Sequence, residues 1–128
     1  MIELPEDIEP HLIDGFEWSD SGVYALVLNV PSDLREQWEN FFDTTPNYID
    51  LVEEKPTTVY VGAARNVRAR LEDHVEGQRR KARLVQFCQI ESIRNIWWFR
   101  DHNRAFERES GIAIAMQNEY PSYYVHSR

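Results

Sequence analysis

The chain has 128 residues, 42% of them apolar and 12% aromatic, so it is long enough to build a core without disulfide or metal support. Its formal net charge of −8 argues, taken alone, against nucleic acid as a partner. Its one cysteine, Cys88, excludes a disulfide framework and a cysteine-rich zinc site. Because no apolar run reaches the roughly 20 residues of a membrane span and the acidic start lacks a signal-peptide pattern, we expect a single cytoplasmic domain over residues 1–128 without a membrane partner.

The charge is unevenly distributed along the chain. Residues 1–56 carry fourteen acidic and two basic side chains, whereas residues 57–128 carry twelve basic and eight acidic ones. Seven of the bases lie between Arg65 and Arg83, so this part of the chain can meet phosphate groups although the whole molecule is acidic. Two of the fourteen bases are lysines, and this acid-rich, lysine-poor composition fits either a salt-loving organism or an ordinary acidic cytosolic protein.

The first half of the chain predicts one strand and a helical insertion. Residues 1–21 are expected to form an irregular acidic lead-in, and residues 22–30, which are rich in β-branched and aromatic side chains, a strand. Residues 31–56 form an acidic insertion containing a helix, whose apolar positions recur with helical spacing: Leu34, Trp38, Phe41 and Phe42. This apolar face is too large to leave in water; it either packs on the chain's own core, which we favour, or forms an interface.

The second half alternates strands and helices. Strands are predicted over residues 57–62 and 93–99 and the last helix from about Asn103 to Asn118, with two shorter helical stripes between the strands. Three strands without a βαβ rhythm predict an α+β fold, in which helices flank a small three-stranded antiparallel or mixed sheet. The extra helical insertion lies between the first two strands.

Five scattered residues carry the chemistry that this fold can bring together. Tyr24 and Tyr60 lie on strands that can be neighbours, and Arg70 and His74 share one face of the following helix at positions i and i+4. Glu109 falls on the apolar face of the last helix, three residues after Phe106 on the same face. A carboxylate there is costly unless it is paired, protonated or bound to a cation.

Each of these residues also has a purely structural interpretation. The tyrosines are common as core or edge aromatics, and Arg70 can pair with a nearby acidic residue such as Glu72 or Asp73. His74 can be a histidine on the helix surface, and Glu109 can be half exposed at the helix edge. Three tyrosines are assigned to packing at the chain end: Tyr120, Tyr123 and Tyr124. Three histidines are assigned to the surface: His11, His102 and His126.

Taken together, the five residues resemble those of the GIY-YIG endonuclease family. Gly22-Val23-Tyr24 resembles the first signature triplet and Tyr60-Val61-Gly62 the second. Arg70 lies at the position of the family's helix arginine, His74 at its tyrosine or histidine position, and Glu109 at that of its metal-binding glutamate. The resemblance implies a GIY-YIG-like α+β fold.

The activity that the resemblance implies is hydrolysis of DNA phosphodiester bonds with one Mg²⁺ or Mn²⁺ ion. Glu109 would hold the cation against a phosphate oxygen, and Arg70 would pair with the scissile phosphate. Tyr24 or Tyr60 would activate or orient the attacking water. Because a phenol is a poor base at neutral pH, His74 would accept or shuttle the proton.

The resemblance also implies a DNA-binding surface. Gly62 would allow a tight backbone turn at the site. Six basic side chains are expected to contact DNA: Arg65, Arg68, Arg79, Arg80, Lys81 and Arg83. Because no DNA-targeting module accompanies the core, targeting would come from a protein partner, a homodimer or the shape of the DNA.

Three departures from the family pattern keep a second interpretation open. Residues 31–56 are longer than the usual hairpin between the triplets, Ala63 stands where some members have lysine, and Tyr124 stands where the family often has asparagine. The alternative is a non-catalytic module that keeps the scaffold and binds DNA or a protein partner.

Overall fold

The computed structural model describes residues 2–76 and 83–127, and all elements below belong to this part of the chain. None of its helices is both long and apolar enough to cross a membrane. A short 3-10 turn, Glu9–His11, is followed by four strands and five α-helices: β1 (Ser21–Asn29), α1 (Leu34–Phe41), α2 (Tyr48–Glu54), β2 (Thr57–Ala64), α3 (Val67–Glu76), α4 (Arg83–Phe87), β3 (Gln89–Phe99), α5 (His102–Glu119) and β4 (Tyr123–Ser127).

The strands form one mixed sheet in the order β3-β1-β2-β4. β1 is antiparallel to β2 and to β3, whereas β4 lies parallel to β2 at the edge. The α+β class is confirmed, but the prediction of three strands is wrong because Tyr123–Ser127 adds a fourth. β3 and β4 run in the same direction at opposite edges of the sheet. α5 connects them by a crossover, as strands with a common direction require. β4 is partly buried at every position, so no alternation of buried and exposed residues marks it in the sequence.

Alternate residues of β1 and β2 face two different layers. The first, here called the tyrosine face, presents Tyr24, Leu26 and Tyr60 to the N-terminal segment and to α1, α3 and α4. The second, here called the valine face, packs against α5, whose contacting side chains are small or flexible; its members are Val23, Ala25, Val59, Val61 and Ala63 of the sheet and Ala105, Ala113 and Met116 of α5. Both layers exclude water, so the two central strands are buried on both sides.

The insertion packs largely on the chain's own core. Leu34 and Trp38 of α1 are buried in the layer on the tyrosine face, whereas Phe41 is 68% exposed. Arg35 links α1 to α2 through contacts to Asp50 at 2.5 Å and to Glu53 at 2.6 Å. The helix face that the sequence analysis treated as one apolar surface is therefore split between core and solvent.

Candidate functional site

Three aromatic side chains that are distant in sequence meet on the tyrosine face. Tyr24 of β1, Tyr60 of β2 and His74 of α3 are each 1% exposed. The tyrosine ring centroids are 6.3 Å apart, and the His74 ring lies 5.7 Å from Tyr24 and 5.9 Å from Tyr60, edge-on to both. The sheet register accounts for this, because Leu26 of β1 pairs with Tyr60 and Tyr24 lies two residues away on the same face.

Gly62 provides the space that the Tyr24 ring occupies. The two residues are direct partners across β1 and β2. A Cβ atom on Gly62 would lie 2.5 Å from the Tyr24 hydroxyl oxygen and 2.7 Å from its Cζ, closer than unbonded atoms can approach. Gly62 lies within β2, so the predicted role in a tight turn is wrong: the position requires a missing side chain and no special backbone conformation.

The Tyr24 hydroxyl forms a hydrogen bond with His74 Nε2 at 2.8 Å. Burial raises the pKa of Tyr24 far above the value of a free phenol, and the neighbouring Tyr60 raises it further. The hydroxyl therefore keeps its proton at neutral pH. In the histidine tautomer that carries its proton on Nδ1, the hydroxyl donates to Nε2 and His74 is the group placed to accept that proton.

Arg70 and Glu109 shift the pKa of Tyr24 in opposite directions. Against the dominant effect of burial, the charge and hydrogen bond of Arg70 lower the pKa of Tyr24, while the charge of Glu109 raises it. Both side chains are half-buried. Glu72, a possible partner of Arg70 in the sequence analysis, instead lies 3.9 Å from the Nε of Arg68. Tyr24, Tyr60 and His74 thus form one cluster, and Arg70 and Glu109 lie near enough to influence the pKa of Tyr24.

Glu109 lies on α5 between two buried small residues. Ala105 and Ala113, four residues before and after it, are 0% and 5% exposed, so one side of α5 carries Glu109 toward the protein. Phe106, which the sequence analysis assigned to the same apolar face, is 41% exposed. One carboxylate oxygen of Glu109 is shielded from solvent.

The oxygens of Glu109 fit a hard divalent cation as a single protein ligand. Magnesium commonly uses one or two carboxylates and completes its shell with water and substrate phosphate oxygens. In residues 2–76 and 83–127, no group of three His, Cys, Asp or Glu side chains is placed to hold a metal ion. A cation at Glu109 would therefore depend on water and phosphate for most of its ligands.

The predicted DNA-binding residues are only partly located. Arg65 is exposed just before α3, the Arg68 guanidinium lies 5.1 Å from the centre of the Trp18 ring, and that of Arg83 lies 4.4 Å from the centre of the Phe42 ring. Such stacking holds a guanidinium against an aromatic surface. The remaining three lie outside the described residues: Arg79, Arg80 and Lys81.

The sequence analysis missed His126, which it assigned to the surface. His126 is the partner of Tyr60 in the parallel pairing of β2 and β4, and the two rings are 6.0 Å apart with 28° between their planes. Burial lowers the pKa of His126. No sequence pattern marked it, because it lies on the edge strand β4, where every residue is partly buried.

Comparisons with known proteins leave the family of the chain open. No family model matches it, and neither a curated protein nor a solved structure is significantly similar to it.

Proposed function

We propose that this protein is a GIY-YIG-type endonuclease that hydrolyses DNA phosphodiester bonds with one Mg²⁺ or Mn²⁺ ion. The observation that carries the proposal is the buried cluster of Tyr24, Tyr60 and His74, in which the Tyr24 hydroxyl and His74 Nε2 form a 2.8 Å hydrogen bond. Arg70 and Glu109 add to it, since both influence the pKa of Tyr24. Together these side chains supply a proton acceptor in His74, a positive charge in Arg70 and a carboxylate in Glu109, which are the groups that this hydrolysis uses.

The two signature triplets support the same proposal. Gly22-Val23-Tyr24 lies on β1 and Tyr60-Val61-Gly62 on β2, and the two strands are antiparallel neighbours. Residues 31–56 lengthen the connection without changing this pairing. The triplets also depend on each other, because the last residue of each, Tyr24 and Gly62, occupy one shared space.

Tyr24 and His74 form the proton path of the proposed reaction. A water oxygen attacks phosphorus while the bond between phosphorus and the leaving sugar oxygen breaks. The water proton passes to the Tyr24 oxygen as Tyr24 passes its own proton to His74 Nε2, and the leaving oxygen takes a proton from solvent. No free phenolate forms, which agrees with the raised pKa of Tyr24.

Arg70 and Glu109 serve the phosphate. Arg70 moves its guanidinium from the Tyr24 hydroxyl to the non-bridging oxygens and stabilises the charge that develops there. Glu109 would hold the divalent cation, which would offset negative charge on the phosphate and on the leaving oxygen. Both side chains are half-buried, so each keeps some access to solvent, from which phosphate and cation would arrive.

DNA binding in this proposal relies on the basic second half of the chain. The proposed DNA-binding surface consists of Arg65, Arg68, Arg83 and the basic segment at positions 79–81. The acidic residues 1–56 repel DNA, so a protein partner or a second copy of the chain would bring the enzyme to its site. The lone, buried Cys88 agrees with a cytoplasmic location.

A plasmid-nicking assay with Mg²⁺ and with Mn²⁺ tests the proposal. Glu109→Gln keeps the shape of the side chain and removes the charge that attracts the cation, so nicking should fall by about a thousandfold or more. Glu107→Gln is the matched control, because Glu107 lies on the same helix and is exposed. Equal nicking by the wild type and Glu109→Gln would show that the assigned site is wrong.

The alternative is a non-catalytic module that binds DNA or a protein partner. The observation in its favour is the burial of Tyr24, Tyr60 and His74, each 1% exposed, since a reacting group must meet water and phosphate. In this case the wild type and Arg70→Ala cleave nothing with either metal at low or molar salt. DNA binding without cleavage by the wild type would favour this alternative.

A further inference from the structure

We propose that His126 is a positioning residue for Tyr60 and belongs to an aromatic wall that the insertion and β4 build together. The wall consists of Tyr48 of α2 and of Tyr124 and His126 of β4. This inference rests on the proposed endonuclease function, because it assigns these residues to the same site.

His126 contacts Tyr60 directly across the edge of the sheet. The two residues are partners in the pairing of β2 with β4, and their rings stack at 6.0 Å. His74 contacts Tyr60 edge-on at 5.9 Å. Tyr60 thus lies between two imidazole rings, one from α3 and one from the edge strand.

Tyr124 and Tyr48 hold the His126 ring in place. Its Nδ1 forms a 2.8 Å hydrogen bond with the Tyr124 hydroxyl, and its ring lies 4.6 Å from that of Tyr48. The rings of Tyr48 and Tyr124 are themselves nearly parallel, with 7° between their planes and 6.1 Å between their centres. The hydrogen bond with Tyr124 and the contact with the Tyr48 ring therefore restrict the rotation of the His126 side chain.

Tyr60 connects the wall to the Tyr24 hydroxyl, the reacting group of the proposed function. Tyr60 is 6.3 Å from Tyr24 between ring centroids and acts electrostatically on its hydroxyl. Removal of the His126 ring leaves one side of Tyr60 without its stacking partner. A shift of Tyr60 then changes the surroundings of the reacting hydroxyl, and misplacement of about 1 Å can slow an enzyme about a hundredfold.

The role also explains why the insertion belongs to the site. Tyr48 is the first residue of α2 and contacts both β4 members of the wall. A longer connection between β1 and β2 thus supplies a side chain that supports the edge strand beside Tyr60.

Steady-state nicking kinetics with three variants test the inference. His126→Ala should lower kcat by about 10- to 100-fold with the KM for DNA within about twofold, because the wall does not contact DNA in this proposal. His126→Phe, which restores a stacking ring, should recover most of kcat, and His11→Ala is the histidine control. A kcat of folded His126→Ala equal to that of the wild type would overturn the inference.

Tyr124→Phe keeps the test decisive if His126→Ala does not fold. It removes the bond to His126 Nδ1 and leaves the ring stacked, so kcat should fall several-fold with the fold intact. Tyr123→Phe is the matched control, since Tyr123 precedes it on β4 and packs on the valine face. Equal kcat values for the two variants would count against the positioning role.

The ring signals of ¹³C-labelled tyrosine, recorded by NMR, separate failure of this inference from failure of the proposed function. If the wild type nicks no DNA, the endonuclease proposal fails, and the Tyr60 signal still tests the wall. A Tyr60 signal that shifts in His126→Ala and returns in His126→Phe supports the positioning role. A Tyr60 signal that is unchanged in His126→Ala overturns it.

Discussion

The two faces of the sheet use alternate residues of the same strands for different purposes. The valine face, with Val23 and Val61 among its members, packs small apolar side chains against α5. The tyrosine face instead brings Tyr24, Tyr60 and His74 together with a hydrogen bond inside the core. Because side chains alternate along a strand with a period of two, one pair of strands can pack apolar side chains on one face and hold hydrogen-bonded polar groups on the other.

The difference between the faces has a cost in stability. Apolar contacts on the valine face need no partners beyond close packing. A buried hydroxyl or imidazole must keep its hydrogen bond, and a broken bond leaves a buried polar group at a cost of about 1–3 kcal/mol. The tyrosine face is therefore the more sensitive to small changes of shape, protonation and bonding.

A methyl group added to the tyrosine face and one added to the exposed side of α5 give the largest expected contrast. Gly62→Ala places a Cβ atom 2.5 Å from the Tyr24 hydroxyl, so it should lower the free energy of unfolding by about 1–3 kcal/mol and abolish most nicking. Gly111→Ala, on α5 with no atom within 4 Å of the added Cβ, should raise the stability by up to about 1 kcal/mol and leave nicking unchanged. Urea unfolding measures both, and Gly62→Ala with wild-type stability would contradict the packing described above.

A smaller contrast is expected from acid. Burial lowers the pKa of His126 below its ordinary value of 6.5, so between these two values the unfolded chain binds more protons than the folded one. The associated stability is present above about pH 6.5 and is lost as the pH falls through the folded-state pKa. Thermal unfolding from pH 8 to 5 should show this loss in the wild type and in His11→Gln, and a weaker one in His126→Gln; identical curves for all three would refute it.

The sequence predicts the site better than it predicts the edge of the sheet. Tyr24 and Tyr60 lie in apolar, β-branched segments whose strand character is a local property, and Arg70 and His74 share a helix face by spacing alone. Their meeting follows once the two strands are neighbours. Glu109 was marked by its position within an apolar pattern, although Phe106, part of the same prediction, is exposed.

The unpredicted features depend on tertiary pairing. β4 is a five-residue edge strand that is fixed by its pairing with β2, and sequence periodicity does not contain that pairing. His126 and Tyr48 therefore gave no signal, since their contact combines an edge strand with a helix of the insertion. Gly62 was identified as important for the wrong reason, because only the pairing with Tyr24 shows which space its missing side chain leaves.

The central claim, that the Tyr24 hydroxyl lies on the proton path of DNA hydrolysis, is tested most directly by the single-turnover nicking rate of Tyr24→Phe. The variant loses only the hydroxyl, so it should remain folded after a loss of about 1–3 kcal/mol, while the nicking rate should fall by about a hundredfold or more. Tyr123→Phe, which removes a hydroxyl from the valine-face side of β4, should nick at the wild-type rate. A folded Tyr24→Phe variant that nicks DNA as fast as the wild type would contradict the account.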